Sequence, residues 1–265
     1  MSRATGRLTL LHVSDVHATA DGLLYGRVDG RARLEAVGAY ARHAGITPEA
    51  IVVTGDLIER GHTRAYADLR DAFSRLEDDT GAPVLTVLGN HDDGDAAGIL
   101  RGHDAGHERV VIVGDLRIIL LDSSAGSLTA DGLSMLRRTI EQPHGWGSVV
   151  ALHHPPVASP LPALAKAGLR NGAALMGAVA HTDVRAILAG HFHHPLTALA
   201  SGVPVFVGPS LAYHQVMNAG PERVSGHDSA MFSLVRLAPD EITATTVSLT
   251  TPAPIFSAPL ADSKR

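Results

Sequence analysis

The sequence predicts an α/β protein, a single domain in which strands alternate with helices around buried sheets. Three observations predict it. Short, wholly apolar runs alternate with longer stretches whose apolar residues recur at helical spacing. The runs lack the in–out alternation of a half-solvated strand, so they belong in sheets covered on both faces. The composition, 27 glycines and only 18% charged residues in 265, suits a compact chain with many tight strand-to-helix turns. That length is ordinary for one α/β domain. We assign residues 1–250 to the domain and 251–265, which opens rich in Pro and Ala, to a weakly ordered C-terminal tail.

Leu8 to Val13 reads as the first strand and runs into Ser14-Asp15-Val16-His17. In extended backbone, residues two apart point to one side, so Asp15 and His17 can reach a common ion. His12, inside the strand, reads as a core histidine. Asp29 to Ala44 follows as a helix, with Leu34, Val37, Tyr40, Ala41 and Ala44 on one face and Gly45 ending it. Ile51 to Thr54 is a second buried strand delivering Gly55-Asp56-Leu57, and His62 to Asp78 a second helix; Arg60, His62 and Arg64 read as solvated loop and helix residues. Val84 to Leu88 brings Gly89-Asn90-His91-Asp92. A strand-helix-strand-helix-strand order implies right-handed parallel crossovers, and these put all three strand ends on one sheet edge, where open α/β sheets bind ligands.

Arg109 to Val113 and Leu116 to Leu121 form a hairpin about Gly114-Asp115, and Leu128 to Gln142 is helical. Val149 to Leu152 runs into His153-His154-Pro155-Pro156, where the prolines stop the strand. After a short helix at Ala173 to Ala180, Ala186 to Ala189 ends in Gly190-His191-Phe192-His193-His194-Pro195, and His191 and His193 share a face by the same two-residue logic. Short strands follow at Leu196 to Ala200, Val203 to Val207, Ala230 to Leu237 and Ile242 to Leu249, expected to extend a second sheet packed on the first.

A net charge of −5 excludes the basic surface of a protein that coats nucleic acid. No apolar run is long enough for a membrane span or a signal-peptide core, so the expected address is the cytoplasm. With no cysteine, any metal must be held by histidine, carboxylate, amide or water. Histidine is abundant, 16 residues against 5 Phe, 4 Tyr and 1 Trp.

The strand ends together offer Asp15, His17, Asp56, Asn90, His153, His191 and His193. One tetrahedral ion needs four ligands at most. Seven donors suffice for two ions if one carboxylate is shared, and Asp56, alone on a central strand, is the best bridge.

The ordered set Asp-x-His (15, 17), Gly-Asp (55, 56), Gly-Asn-His-Asp (89 to 92), His-x-Pro (153 to 155) and Gly-His-x-His (190 to 193) resembles the calcineurin-like metallophosphoesterase superfamily. Within it, Tyr25-Gly26, Gly55-Asp56-Leu57 followed by Gly61 and Tyr66, His153-His154-Pro155-Pro156 and Ala189 to His193 are similar to the bacterial class III cyclic nucleotide phosphodiesterases. The resemblance implies a four-layer αββα sandwich of two mixed sheets flanked by helices. It implies two metal ions per chain, the first, often iron, on Asp15, His17, Asp56 and His193. The second, often manganese, would lie on Asp56, Asn90, His153 and His191; a Mn/Mn pair, Zn or Co are the alternatives. It favours His153 over His154 as ligand and allows a homodimer.

Two divalent ions less two carboxylates and one hydroxide leave about +1, which matches a singly charged phosphodiester. The expected reaction is attack on phosphorus by a metal-bridging hydroxide. His91 would touch the phosphate and protonate the leaving alkoxide, with Asp92 orienting it. Asn90, His91, His154 and His194 are the candidate substrate contacts, with Tyr213 and His214 as further rim residues. The expected substrate is a small-molecule phosphodiester, a 3′,5′-cyclic nucleotide (cAMP or cGMP) first. The alternative is a broad-range enzyme acting on 2′,3′-cyclic nucleotides, glycerophosphodiesters or aryl phosphodiesters. Protein phosphatases carry Arg-rich surroundings that are missing here, and sugar-lipid pyrophosphatases of the superfamily more often show arginine where His91 stands. A binding scaffold that has lost the chemistry, as the retromer subunit of the superfamily has, would lack ligands this chain retains.

Overall fold

The computed structural model describes residues 6–218, 220–250 and 252–257. Strands β1 (Leu8–Val13), β2 (Ala50–Thr54) and β3 (Val84–Val87) run parallel, as the crossover rule requires. The connections are helices α1 (Gly30–His43) and α2 (Ala65–Thr80). Asp29 caps α1 by accepting from the Arg31 and Ala32 backbone N–H groups.

The second helix starts three residues later than its sequence pattern suggests. Residues 59–65 close instead in turns, with the His62 N–H donating to Glu59 O at 2.9 Å and the Ala65 N–H to His62 O at 2.8 Å. Nδ1 of His62 accepts from the Ala20 N–H, which ties this loop to the one after β1. A four-residue helix α3 (Gly94–Ala97) then leads to the hairpin β4 (Arg109–Val113) and β5 (Leu116–Leu120), which forms with the expected turn. Helix α4 (Ala130–Ile140), strand β6 (Ser148–Ala151), helix α5 (Gly172–Val179) and strand β7 (Val184–Ala189) complete the second half's crossovers, followed by β8 (Leu196–Ala200) and β9 (Val203–Val207). The remaining strands are β10 (His214–Val216), β11 (Ser225–His227), β12 (Met231–Ala238) and β13 (Glu241–Ser248).

The late strands do not all join one sheet, and here the sequence expectation is corrected. β8 and β9 extend the second sheet, ordered β4-β5-β6-β7-β9-β8, but β12 and β13 return to the first, ordered β13-β12-β1-β2-β3. β12 pairs antiparallel with β1 and supplies the ladder partners that β1 would otherwise lack on its outer side. The small hairpin β10–β11, three residues in each strand, was not legible from its Gly- and polar-rich sequence. The expected tail lies largely outside the described residues; its residues 252–257 are exposed, without helix or strand.

Three apolar layers fill the sandwich. Alternate residues of the inner strands, among them Leu10, Val52, Val87, Ile118, Val149 and Leu188, meet between the sheets. The intervening residues, such as Leu11, Val13, Ile51 and Val53, pack under α1 and α2. On the far side, Ile119, Val150 and Ile187 pack under α4 and α5. The strands are apolar on both faces because each face meets another layer. The result is the helix-sheet-sheet-helix stack anticipated above. No helix of the described residues is long and apolar enough to cross a membrane.

Candidate metal centre

With both faces of every central strand committed to core, polar side chains can emerge only beyond the strand ends. There the loops after β1, β2, β3, β6 and β7 converge. The Asp15 N–H donates to Gly55 O (3.1 Å) and the His17 N–H to Asp56 O (2.9 Å), while the His191 N–H reaches the Asp15 carboxylate at 3.1 Å. Gly55 has φ +80°, and a Cβ there would lie 2.5 Å from His153 Nδ1. Gly89 lies so close to Asp56 that a Cβ would meet its Oδ1 at 2.3 Å.

All seven strand-end donors come together. Asp56 Oδ2 lies 3.6 Å from His17 Nε2 and 3.4 Å from His153 Nε2. On one side of it, His17 Nε2 and His193 Nε2 are 3.2 Å apart, with Asp15 Oδ1 3.2 Å from His193 Nε2. On the other, His153 Nε2 lies 3.2 Å from Asn90 Oδ1 and 3.1 Å from His191 Nδ1. Asp56 thus stands between two groups of donors, as a shared ligand must.

The geometry achieving this differs from the one anticipated. Asp15 and His17 were expected to align in extended backbone, as were His191 and His193, but all four, and Asp56 too, adopt left-handed φ values of 46–72°. For residues with a Cβ this conformation is costly, about 1–3 kcal/mol each, and persists where the surroundings over-determine it.

The imidazole protons reveal what the centre demands. His153 Nδ1 donates to Thr54 O at 2.8 Å, His193 Nδ1 to Tyr213 O at 3.2 Å, and His17 Nδ1 to Glu59 Oε2 at 2.8 Å. A neutral imidazole whose Nδ1 carries the proton has a bare lone pair at Nε2. Three bare nitrogens and two carboxylates therefore face one another in a buried space. Burial opposes positive charge on His153, yet Asp56 outweighs it and pulls this histidine up to about 9. Burial likewise opposes ionisation of Asp56, but the nearby histidines hold its carboxyl well below the usual carboxylate range. The site calls for positive charge, from protons or from cations. Histidines with outward N–H groups on carbonyl or carboxylate acceptors are the arrangement that orients metal ligands, so the donor set fits a pair of metal ions.

Other expectations are revised. Asp92 does not orient His91: its buried carboxylate accepts from the N–H groups of Leu57 (3.0 Å), Ile58 (3.2 Å) and Gly89 (2.8 Å) and from the Tyr66 hydroxyl (2.9 Å), clasping the loops after β2 and β3. Its expected place is taken by Glu59, whose Oε1 lies 3.2 Å from His91 Nδ1. His194 is no rim residue: it is buried, bonded to Ser159 (2.9 Å) and stacked on Phe192. His154 is also buried, its ring centroid 4.3 Å from that of His191, and geometry alone groups it with His153 and His191. Arg60 is exposed, as read from the sequence, and also donates to Asn90 O at 2.9 Å. Glu59 was the chief omission; its only sequence signal was its position three residues after Asp56.

The fold and site together define a metallophosphoesterase, and the profile of the calcineurin-like phosphoesterases matches residues 8–195, so the chain belongs to that family. It is 36% identical over 255 residues to the cAMP/cGMP dual specificity phosphodiesterase of Mycobacterium tuberculosis, covering 91% of this chain and 79% of that protein. To a probable cyclic nucleotide phosphodiesterase of Rhodococcus erythropolis it is 38% identical over 230 residues, covering 83% and 76%. Among solved structures, a dimetal phosphatase from Danio rerio superposes with a TM-score of 0.66 at 15% identity, over 92% of this chain and 96% of that one, a likeness of fold.

Proposed function

We propose that this protein is a dinuclear-metal phosphodiesterase that hydrolyses 3′,5′-cyclic nucleotides. The observation that carries the proposal is the convergence of bare imidazole nitrogens and carboxylate oxygens on both sides of Asp56 Oδ2. The two relatives named for cyclic nucleotide hydrolysis, at 36% and 38% identity, support the substrate class.

Asp15, His17, Asp56 and His193 would hold one ion, and Asp56, Asn90, His153 and His191 the other. The family resemblance points to iron in the first position and manganese in the second; the all-nitrogen-and-oxygen donor set suits these, zinc or cobalt alike and is unsuited only to metals that demand thiolates. Bound there, two divalent cations would supply Lewis-acid polarisation of the phosphoryl oxygens and a lowered pKa for water. The chain's residues supply the rest. His91, half-buried with Nε2 4.0 Å from Asp56 Oδ2, is positioned to protonate the leaving alkoxide as the P–O bond breaks. Burial, with the nearby His17 and Arg60, lowers its proton affinity below the usual histidine value, and Asp56 and Glu59 offset this only in part. Glu59 spans His17 and His91, fixing a metal ligand and the proton donor with one carboxylate.

The test is metal analysis of the purified protein with a substrate panel after manganese loading: 3′,5′-cyclic, 2′,3′-cyclic and glycerol-linked diesters against monoesters. We expect two ions per chain and the highest kcat/KM on 3′,5′-cyclic nucleotides. Equal rates on all diesters would favour the broad-range enzyme, and two bound metals without hydrolysis of any ester would point to a binding scaffold.

A further inference from the structure

Tyr213 joins the metal centre to a second surface. Its ring centroid lies 4.2 Å from that of His193 and 5.9 Å from that of His17. It also lines a cavity of about 430 Å³ with Tyr25, Val28, Gln215 and Val224, within the range of small-ligand clefts, roughly 300 to 1,000 Å³. Tyr25 meets Tyr213 edge-on, centroids 5.7 Å apart and planes at 69°, so the two rings form an aromatic corner.

A hydrogen bond links the Tyr25 and Tyr213 hydroxyls, but burial does not account for this corner. Tyr25 is 74% exposed and sits in left-handed backbone, φ 52°, so an aromatic side chain is held at the edge of the site in a conformation that burial does not repay. Gln215 contacts the Tyr213 hydroxyl with its side chain, while its Oε1 is buried with no hydrogen-bond partner. A buried amide oxygen without a donor is costly, and turning it outward into the cavity onto a ligand N–H would satisfy it.

We propose that this corner is the subsite for the purine base of the substrate: the base stacks on Tyr25 and Tyr213, and Gln215 Oε1 accepts from an N–H on its edge. Stacking on aromatic rings tolerates any base, and an amide side chain matches the donor–acceptor edge of adenine. Glycerol- or choline-linked diesters offer neither a ring to stack nor such an edge. Tyr213 lines the cavity and also packs on His193 and His17, which places the corner beside the donor cluster. This inference rests on the phosphodiesterase reading and deepens it.

The experiment has two arms. In the first, kcat/KM of the manganese-loaded enzyme is compared for cAMP and for the 3′,5′-cyclic phosphate of methyl riboside, which lacks a base. The wild type should prefer cAMP at least ten-fold, and Tyr25→Ala and Gln215→Leu should each cut that preference five-fold or more. A wild type without preference, or variants that keep it, overturns the subsite. In the second arm, adenosine binding to the chelator-treated protein is followed by calorimetry. Binding by the wild type, weakened at least five-fold in Tyr25→Ala, supports the subsite; no binding at millimolar adenosine, or equal binding by the variant, overturns it. If neither diester is hydrolysed, the phosphodiesterase reading fails, and the adenosine arm alone decides the subsite.

Discussion

Replacing Glu59 with glutamine separates a wall residue from one that governs the centre. Its carboxylate accepts from His17 Nδ1 at 2.8 Å and from His91 Nδ1 at 3.2 Å. The His17 hydrogen bond, outweighing burial, holds this carboxyl down at about 2, so it is ionised throughout the working pH range. An amide has one accepting oxygen and no charge, so one histidine loses its acceptor and the other keeps a weaker one. Hydrogen bonds to charged groups contribute about 1.5–3 kcal/mol against about 0.5–1.5 for neutral ones, so the histidine that keeps the amide oxygen loses roughly 1–1.5 kcal/mol and the one left without an acceptor roughly 1.5–3. Carboxylates behind metal-ligating histidines typically govern 10- to 100-fold of metal affinity or activity. We therefore expect Glu59→Gln to weaken manganese binding by roughly ten-fold or more through His17, and to lower kcat at saturating metal by roughly ten-fold through His91. Metal titration by calorimetry reads the first effect and steady-state kinetics at saturating manganese the second. Affinity and kcat both within two-fold of wild type would refute the assignment of Glu59 to either histidine.

Asp56→Ala should abolish binding of both ions, and elemental analysis finding two metals per chain would rule out a bridging role. His91→Ala should lower kcat by roughly 100-fold or more, in line with general-acid contributions of about 10²–10⁴, with metal content near wild type; lost metal would make His91 a ligand instead. Asp92→Asn puts an NH₂ group against donors that now find a carboxylate, and at about 1–3 kcal/mol per unsatisfied group should cost roughly 2–4 kcal/mol. At about 2–4 °C per kcal/mol for a domain of this size, calorimetry should show a melting temperature roughly 4–16 °C lower, and an unchanged one would remove Asp92 from the framework. His103 is kept at about 3 by burial and by the Arg109 charge. Its folded value lies below its unfolded one, so it adds no penalty above pH about 6.5; as pH falls from there towards 3, the unfolded chain takes a proton the folded chain refuses. Stability should then fall by up to about 1.4 kcal/mol per pH unit. Urea unfolding between pH 6 and 4 should show a shallower slope for His103→Gln, and identical slopes would exclude this histidine as the acid-sensitive group.

The sandwich was legible because burial on both faces leaves an unmistakable pattern: β1, β2, β6 and β7 are almost wholly apolar, and their polar sequels stand out by contrast. The site was legible for the same reason, since Asp15, Asp56 and His153 have no business at a dry strand end unless something binds them. What local pattern cannot carry is pairing and orientation. Nothing in Met231–Ala238 says which sheet it will join, since an alternating strand suits either edge. Whether a carboxylate next to a histidine serves it or turns to backbone N–H groups depends on loops distant in sequence. Asp92 lost its expected role to Leu57, Ile58 and Tyr66, while Glu59 acquired one through His17, 42 residues away. His194 was misread for a similar reason, because its partner Ser159 lies 35 residues earlier.

The donors around Asp56 are drawn from both sheets: Asp15, His17, Asp56 and Asn90 follow strands of the first, His153, His191 and His193 strands of the second. Elsewhere the sheets meet mainly through non-directional apolar contact, which tolerates sliding, with Arg109 to Thr86 O and Arg185 to Glu241 O as directional links. At this rim they are riveted, so neither can creep past the other without tearing the constellation apart. Stripping the cations should thus loosen a seam as well as silence a reaction, and amide exchange along that rim would record the slackening.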